Sequence, residues 1–407
     1  MVARYSSLFP ALTISLIGFS QGMWVEQDPF PGQARWGTAS FVIGDVGYMV
    51  GGRTTAGADL AHTYAYDPNT GTWTQKADIP GTRRMASAFT INGKGYVSCG
   101  AYSSASHRND LWEYDPIANT WTAKASIPGA TRYAAAGFSI DGIGYIVSGN
   151  TGSAFGPYSS ELWAYDPGSN SWQARAPLPA QPRYAAEAFV AAGKAYVLGG
   201  LQDDQSFSNE LWMYDPLENE WTEVTAIPSA PRGLSFTWDL GERGLICGGN
   251  SDDGPVYDCW MYHAQQDEWT PVVDYPGAGA RAGVGFLIGG RIFAGFGLST
   301  TTEANNDLWE LTDLTTDVIT TRGPREFNIY PNPTVSRGQL MIDTGTQLPG
   351  NAEFRLHNGL GQVVQRSMLS TSHGIISISL PDLSPGVYTV AILVDGVVTH
   401  ATRSIVH

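Results

Sequence analysis

The sequence predicts an all-β protein, a six-bladed β-propeller closed by its N-terminal strand and followed by a small C-terminal β-sandwich. Tryptophans recur at intervals of 49, 48, 51, 49 and 48 residues, at Trp24, Trp73, Trp121, Trp172, Trp221 and Trp269. A period near 50 residues is typical of four-stranded propeller blades. In addition, 48 glycines and 24 prolines separate short apolar runs, a pattern that indicates many strands and turns.

The N-terminus is predicted to be a signal peptide spanning residues 1–22. Arg4 supplies a positive charge, residues 8–17 are apolar, and small or polar residues follow up to Gly22. The apolar stretch is too short for a membrane-spanning helix, and no later segment reaches about 18 continuous apolar residues. We therefore expect export without insertion into a membrane.

One repeat, residues 183–226, illustrates how each blade is built. RYAAEAFVAAG is predicted as inner strand a, KAYVLGG as strand b, NELWMYDP as strand c and EWTEVTAIP as outer strand d. Alternation places the aromatic residue of strand c between neighbouring sheets, where it contributes to the blade core rather than to a sugar-binding platform.

The glycine pair, the aromatic residues of strand c and the tryptophan of strand d make residues 24–311 resemble the kelch family. The last repeat has a strand c, residues 307–311, but no tryptophan strand after it. The segment that begins at Trp24 matches the missing strand d. We expect it to complete the last blade, so that the propeller spans residues 23–311 and has no open edge.

The C-terminal region has a different pattern. Residues 312–325 are predicted to be a linker and residues 326–407 a separate domain. Its motifs are Tyr330–Pro333 (YPNP), Leu383–Tyr388 (LSPGVY) and a terminal strand at residues 403–407. This set resembles the type A sorting domain of the type IX (Por) secretion system. The resemblance implies recognition by the outer-membrane secretion machinery, and hence a secreted protein that passes the periplasm to the cell surface or the medium.

Charge and cysteine content exclude several kinds of partner and site. The net charge of −15 makes nucleic acid an unsuitable partner. Three cysteines exclude a disulfide scaffold and a cysteine-rich zinc site. Cys247 and Cys259 fall on adjacent strands of blade 5, either as a disulfide or as two buried thiols. The histidines of the propeller fall in different blades, so we predict neither a metal site nor a cofactor.

Strand a of each blade begins with an arginine near the propeller axis. The register contains Arg35, Arg83, Arg132, Arg183 and Arg232, with Arg281 shifted by one residue in blade 6 and Arg84 as a second arginine in blade 2. The residues that follow include Trp36, Tyr133 and Tyr184. An arginine-lined, partly aromatic mouth is typical of a site for a carboxylate or phosphate ligand.

An alternative role for these arginines is structural. Strand c begins on the same face with an acidic residue in five blades, at Asp110, Glu161, Glu210, Asp258 and Asp307. These acids could pair with the arginines, and the sequence leaves both roles open. Blade 1 has His62 in place of the acid, so Arg35, beside Trp36, is predicted to be the foremost ligand contact.

Glu187 is the other unusual residue, because it lies within inner strand a, where the other blades carry uncharged side chains. A carboxylate in that position is costly unless it is paired. Glu187 is therefore either a partner of a ring arginine or a general base.

Three functional hypotheses follow. The first is a glycan- or protein-binding module that acts through the loop face, where the b–c loops are rich in small polar residues. The second is a sugar-processing enzyme similar to the N-acetylneuraminate epimerase (sialic-acid mutarotase) family, which also has six kelch blades and an anionic sugar substrate. The third is a structural adhesion scaffold.

Overall fold

The protein, seen in a computed structural model, divides into two compact units, Met1–Thr312 and Asp313–His407. The structure describes residues 22–103, 106–153, 156–300, 303–314, 328–330, 339–343, 352–357, 363–369, 375–384, 386–394 and 397–406. Except for Gly22, the predicted signal peptide lies outside the described residues, as does the predicted linker beyond residue 314.

The first unit consists of six four-stranded antiparallel sheets, which are the predicted blades. In the order a to d, blade 1 contains Trp36–Ile43, Val46–Arg53, Thr63–Asp67 and Thr72–Lys76, and blade 2 contains Ser87–Ile91, Lys94–Ser98, Leu111–Asp115 and Thr120–Lys124. Blade 3 contains Ala136–Ile140, Ile143–Val147, Leu162–Asp166 and Ser171–Arg175, and blade 4 contains Glu187–Ala191, Lys194–Leu198, Leu211–Asp215 and Glu220–Val224. Blade 5 contains Phe236–Asp239, Arg243–Cys247, Cys259–His263 and Glu268–Val272.

Blade 6 joins the two ends of the propeller. Its strands a to c are Val284–Ile288, Arg291–Gly295 and Leu308–Thr312, and its strand d is the N-terminal strand Met23–Gln27. Trp24 lies opposite Leu311 in this pair. The Trp24 indole N–H also donates to the Val273 carbonyl, 3.2 Å away, which ties the strand to blade 5. The predicted closure of the propeller by its N-terminal strand is confirmed.

Short strand pairs involve the b–c loops of three blades. They are Asn150–Ser153 with Gly156–Tyr158, Arg183–Tyr184 with Leu201–Gln202, and Asn250–Ser251 with Gly254–Pro255. They place b–c loop residues beside the chain that enters strand a.

Aromatic pairs fill the space between blades. In blades 1 to 4, a phenylalanine of strand a stacks on the tyrosine opposite it in strand b, with ring centroids 5.0–5.4 Å apart. Trp112 and Trp212 of strand c pack against the same inter-blade clusters. This agrees with the packing predicted from alternation, because residues on one side of a strand face one neighbouring blade.

The strand d tryptophans explain the repeat of about 50 residues. The indole N–H of Trp121, for example, donates to the Ala77 carbonyl at the end of blade 1, 2.9 Å away, and Trp172 contacts Ala125 in the same way. Five of the six tryptophans bind the chain that leaves the preceding blade, the exception being Trp73, so their spacing is that of one complete blade.

The second unit contains two sheets. One has Asn328–Tyr330, Gln339–Asp343 and Ile375–Ser379, and the other has Ala352–His357, Val363–Met368, Gly386–Val394 and Val397–Val406. Leu340 and Ile378 of the first sheet share one apolar cluster with Phe354 and Val390 of the second. The sandwich arrangement of the whole domain stays a prediction. Within the described ranges of both units, no helix is long and apolar enough to cross a membrane.

Candidate functional site

The arginines predicted to begin strand a of blades 1 to 5 form what we call the inner ring: Arg35, Arg83, Arg132, Arg183 and Arg232. All five side chains are at most 1% exposed. Each guanidinium donates to the backbone carbonyl sixteen residues later, at 3.0–3.3 Å. This carbonyl belongs to the first residue at the position of the glycine pair, directly after strand b in blades 2 to 5 and near its end in blade 1. The inner ring therefore links strand a to the end of strand b inside each blade.

Four of the inner arginines also bind the acidic residue that precedes strand c. The pairs are Arg83–Asp110 at 2.9 Å, Arg132–Glu161 at 2.5 Å, Arg183–Glu210 at 2.6 Å and Arg232–Asp258 at 2.7 Å. This is the structural role that the sequence left open, and it corrects the ligand-binding alternative. These guanidinium groups are buried and neutralised, so they offer no surface to a ligand.

Glu161 illustrates the electrostatics of these pairs. Burial alone would raise the pKa of this carboxyl, but hydrogen bonds from Arg132 and the Trp163 indole outweigh burial and hold the pKa below its ordinary value. The acid thus stays ionised and keeps the arginine paired.

The prediction for Arg35 as foremost ligand contact also requires correction. Its side chain is 1% exposed and packs over the rings of Phe30 and Tyr64, with its Cζ atom 5.0 and 5.5 Å from their centroids. Burial lowers the pKa of Arg35 to about 10. Aromatic faces stabilise this cation in place of the carboxylate that blade 1 lacks.

The next residue in each blade forms the outer ring, which faces the mouth of the propeller. Its members are Trp36, Arg84, Tyr133, Tyr184, Gly233 and Arg281. Arg281 belongs here because Ala280 occupies the inner position of blade 6, which refines the one-residue shift seen in the sequence. Its five side chains are partly exposed, whereas Gly233, which has no side chain, is buried. Neighbouring residues of one strand point to opposite sides, so burial of the inner ring turns the outer ring outward.

A closed circle of backbone hydrogen bonds lies directly after the outer ring. We call it the backbone ring; its residues are Gly37, Met85, Ala134, Ala185, Leu234 and Ala282. Each has a φ angle between 50° and 64°, and each N–H donates to the carbonyl of the equivalent residue in the preceding blade, at 2.6–3.0 Å. Five of the six are not glycine, so each carries a conformational cost that the circle offsets. This ring forms the floor of the mouth.

An aromatic cluster occupies the mouth above blades 3 and 4. Tyr184 lies between Tyr133 and Tyr158, with ring centroids 5.8 and 4.7 Å away, and His107 lies 4.5 Å from Tyr133. The Asn150 amide donates to the Tyr133 hydroxyl at 3.1 Å. Burial raises the pKa of Tyr184 to about 12, so its phenol stays neutral at physiological pH.

The sequence did not identify Tyr158, His107 or Asn150 as site residues. They come from loops of irregular length, whose alignment with the outer ring depends on the short strand pairs. The backbone ring was missed as well, because its residue types carry no glycine pattern.

Arg84 differs from the inner arginines in exposure but not in pairing. Its guanidinium binds the Asp59 carboxylate at 2.7 Å and the Ser103 carbonyl at 3.1 Å. Asp59 also binds Arg53 at 3.3 Å. Arg84 is therefore neutralised at the edge of the mouth.

A cavity of about 400 Å³ continues along the axis beyond the backbone ring, lined by strand a of all six blades. Its hydroxyl groups bind neighbouring blades; Thr90, for example, donates to the Val42 carbonyl at 2.9 Å. Glu187 and Asp239 are the ionisable residues among those that line it. Desolvation within the ring of strands raises the pKa of Glu187 to about 8 and that of Asp239 to about 6.

Glu187 forms no ion pair among the described residues, and four of the inner arginines bind other acids. The prediction that Glu187 pairs with a ring arginine is wrong. Its role as a general base stays a prediction.

In blade 5, Cys247 and Cys259 lie opposite each other on strands b and c, with their Sγ atoms joined in a disulfide. Of the two outcomes open from the sequence, this structure has the bridge. Cys99 is buried and unbridged. Within the described part of the chain, no three His, Cys, Asp or Glu side chains gather in an arrangement that could hold a metal ion.

Comparison with known proteins gave matches for both units. The KLHDC2/KLHL20/DRC7 Kelch-repeats domain matches residues 21–177 and 145–321. The secretion system C-terminal sorting domain matches residues 328–406. Among solved structures, YjhT is similar, with 16% sequence identity and a TM-score of 0.60 over 69% of this chain and 95% of that chain. At this identity the likeness concerns the fold alone. No curated protein matches the chain.

Proposed function

Because the chain belongs to the kelch-repeat family and carries a sorting domain for secretion, we propose that this exported propeller recognises a glycan at its mouth. The observation that carries the proposal is the partly exposed tyrosine cluster of the outer ring above a closed floor. Flat aromatic faces with neutral hydroxyls, flanked by amides, suit the alternating apolar and hydroxylated faces of a sugar.

The location of the cluster supports this proposal. The inner ring is the repeated, buried element of every blade except the sixth, whereas the outer ring has four residue types and its side chains are partly exposed. The polar groups of Tyr133, Tyr184 and Asn150 are neutral hydroxyls and an amide, which donate and accept hydrogen bonds as sugars do. A glycan of the cell surface or the medium fits the destination that the sorting domain assigns.

Isothermal calorimetry with the full chain tests the proposal. Neutral and acidic oligosaccharides would be titrated into the wild type, into Tyr184→Ala and into Tyr102→Ala, an exposed loop tyrosine outside the outer ring. We expect Tyr184→Ala to weaken binding at least about tenfold, or 1.4 kcal/mol, and Tyr102→Ala to have no effect. Failure of every sugar to bind, or equal losses in both variants, would contradict the proposal and leave a protein-binding module or an adhesion scaffold.

A second candidate function is the mutarotase that the sequence suggested. Glu187 favours it, because this unpaired carboxyl lines the axial cavity with a pKa of about 8, near the working pH of a proton-transfer group. The test is the rate of anomer exchange of N-acetylneuraminate, measured by NMR with the wild type and Glu187→Gln. Acceleration by the wild type and none by the variant would support catalysis. Binding without acceleration would leave recognition alone.

A further inference from the structure

Arg281 differs from every other arginine of the two rings. Five of the other six form an ion pair with a carboxylate, and the sixth, Arg35, is fully buried. Arg281 is partly exposed at the mouth, and within the described residues it forms no ion pair. One N–H of Nη1 donates to the Asn250 side-chain oxygen at 2.6 Å, and its Nε has no acceptor.

The reason for this isolation lies in blade 6. Ala280 replaces the inner arginine there, yet the acid of strand c, Asp307, is retained. Asp307 accepts hydrogen bonds from the Ala278 amide at 3.1 Å and from the Trp309 indole at 3.1 Å. Both bonds go to Oδ2, and Oδ1 has no partner among the described residues, so Asp307 does not pair with the arginine one position after Ala280.

The neighbours of Arg281 leave space in front of it. The backbone ring connects Ala282 to Leu234 on one side and to Gly37 on the other, so Arg281 stands between Gly233 and Trp36. At Gly233 a Cβ atom would lie 2.5 Å from the Ala185 carbonyl oxygen, which excludes a side chain there. Trp36 is partly exposed, and its indole N–H donates to no described group.

We infer that Arg281 binds the oxyanion of an acidic sugar, a carboxylate or a sulfate ester, while the sugar ring contacts the tyrosine cluster. The inference rests on the proposed glycan recognition and names its ligand class. A guanidinium that lacks a carboxylate in a partly desolvated site attracts an oxyanion strongly. Asn250 fixes the orientation of the guanidinium, and Trp36 adds a donor at the edge.

The spacing of the two parts fits one ligand. Adjacent members of the backbone ring are joined by backbone hydrogen bonds, so they lie about 5 Å apart, as neighbouring strands do. Ala185 and Ala282 are two positions apart on this ring, roughly 9 Å, and Tyr184 and Arg281 directly precede them in the chain. Their side chains can therefore contact the ring and the acidic group of one or two linked sugars.

The test compares galacturonate, galactose 6-sulfate and galactose on the full chain by calorimetry at low salt. The variants are Arg281→Gln and Arg281→Lys, with Arg291→Gln as the matched control, since Arg291 begins strand b of the same blade on the opposite face. We expect the wild type and the control to prefer one of the two acidic sugars over galactose by at least about tenfold. Arg281→Gln should abolish the preference without weakening galactose, and Arg281→Lys should keep part of it.

The two acidic sugars distinguish a carboxylate from a sulfate as the bound group. Persistence of the acid preference in Arg281→Gln, or no preference in the wild type, would overturn the subsite and leave the glycan site intact. Absence of binding by all three sugars, together with absence of binding by the oligosaccharides above, would overturn both. Unchanged thermal unfolding of the variants excludes a folding defect.

Discussion

Arg132 and Tyr133 are consecutive residues, yet one is fully buried and the other faces the mouth of the propeller. The same holds for each blade from the first to the fourth: the inner ring repeats one residue type, and the outer ring changes from Trp to Arg, Tyr and Tyr. In blade 5 the arginine is followed by Gly233, which is buried. Four inner arginines are paired with acids, whereas the tryptophan and the two tyrosines of the outer ring are partly exposed. In this repeat protein, the residue that recurs therefore holds the blade together, and the variable residue beside it is available for recognition.

The largest effect is expected where the inner ring loses a counter-ion. Asp110→Ala removes the carboxylate from the buried Arg83 guanidinium and should lower the free energy of unfolding by about 3 kcal/mol, since an unpaired buried charge is costly. Urea denaturation measures it. Asp307→Ala is the matched control, because blade 6 has no inner arginine; it should cost about 1 kcal/mol, the value of its hydrogen bonds. Equal losses would contradict the structural role of the ring.

A smaller difference should separate two inner arginines. Arg83→Met leaves the Asp110 carboxylate with only the Trp112 indole and the more distant Arg108, whereas Arg35→Met removes a cation that burial already destabilises, as its lowered pKa indicates. We expect Arg83→Met to reduce the free energy of unfolding by about 2 kcal/mol more than Arg35→Met does. The same urea titrations decide this. Arg35→Met as the more damaging change would mean that its aromatic contacts outweigh a carboxylate.

The comparison extends to two carboxyls of blade 4. In Glu210, burial raises the pKa, but hydrogen bonds from Arg183 and Trp212 outweigh it, and the pKa lies below its ordinary value. Unpaired Glu187 instead has a pKa raised to about 8. The unfolded chain releases the Glu187 proton near pH 4.5 and the folded chain near pH 8. As the pH rises from 4.5 to 8, this residue therefore lowers the free energy of unfolding progressively.

Glu187→Gln should therefore stabilise the protein relative to the wild type more at pH 8 than at pH 5. Thermal unfolding at both pH values measures the difference, with Glu218→Gln, an exposed turn residue, as control. A relative stability that does not change with pH would show that water in the axial cavity solvates the carboxylate fully.

The smallest effect on stability is expected in the outer ring. Arg281→Gln loses one hydrogen bond to Asn250 and no ion pair, so the free energy of unfolding should change by about 0.5 kcal/mol or less. Urea denaturation of Arg281→Gln and Asp110→Ala under the same conditions compares the two losses in free energy of unfolding. A loss above about 2 kcal/mol would place Arg281 with the structural residues of the inner ring.

The sequence predicted most of the fold because its signals repeat. Six phased copies indicate the blades, and the missing strand after residue 311 indicates closure by the segment at Trp24. The acids before strand c also predicted the pairs of the inner ring as one of two alternatives. To choose between ligand binding and structural pairing, one must know that Arg132 points into its blade. That orientation depends on the twist and register of strand a.

Other features depend on distances that the sequence does not contain. The sequence showed Arg281 shifted by one residue, but its place on the outer ring follows from the buried position of Ala280. The disulfide between Cys247 and Cys259 required the two residues to lie directly opposite each other. The backbone ring uses main-chain groups, so residues such as Met85 and Leu234 give no indication of it.

Closure by the first strand also sets an order of events during synthesis. Met23–Gln27 is made early, yet its partner Leu308–Thr312 follows about 285 residues later. At about 5–20 residues per second, the early strand waits roughly 15–60 s without its partner. Folding of this propeller therefore ends with a contact between distant parts of the chain, after the other blades can form.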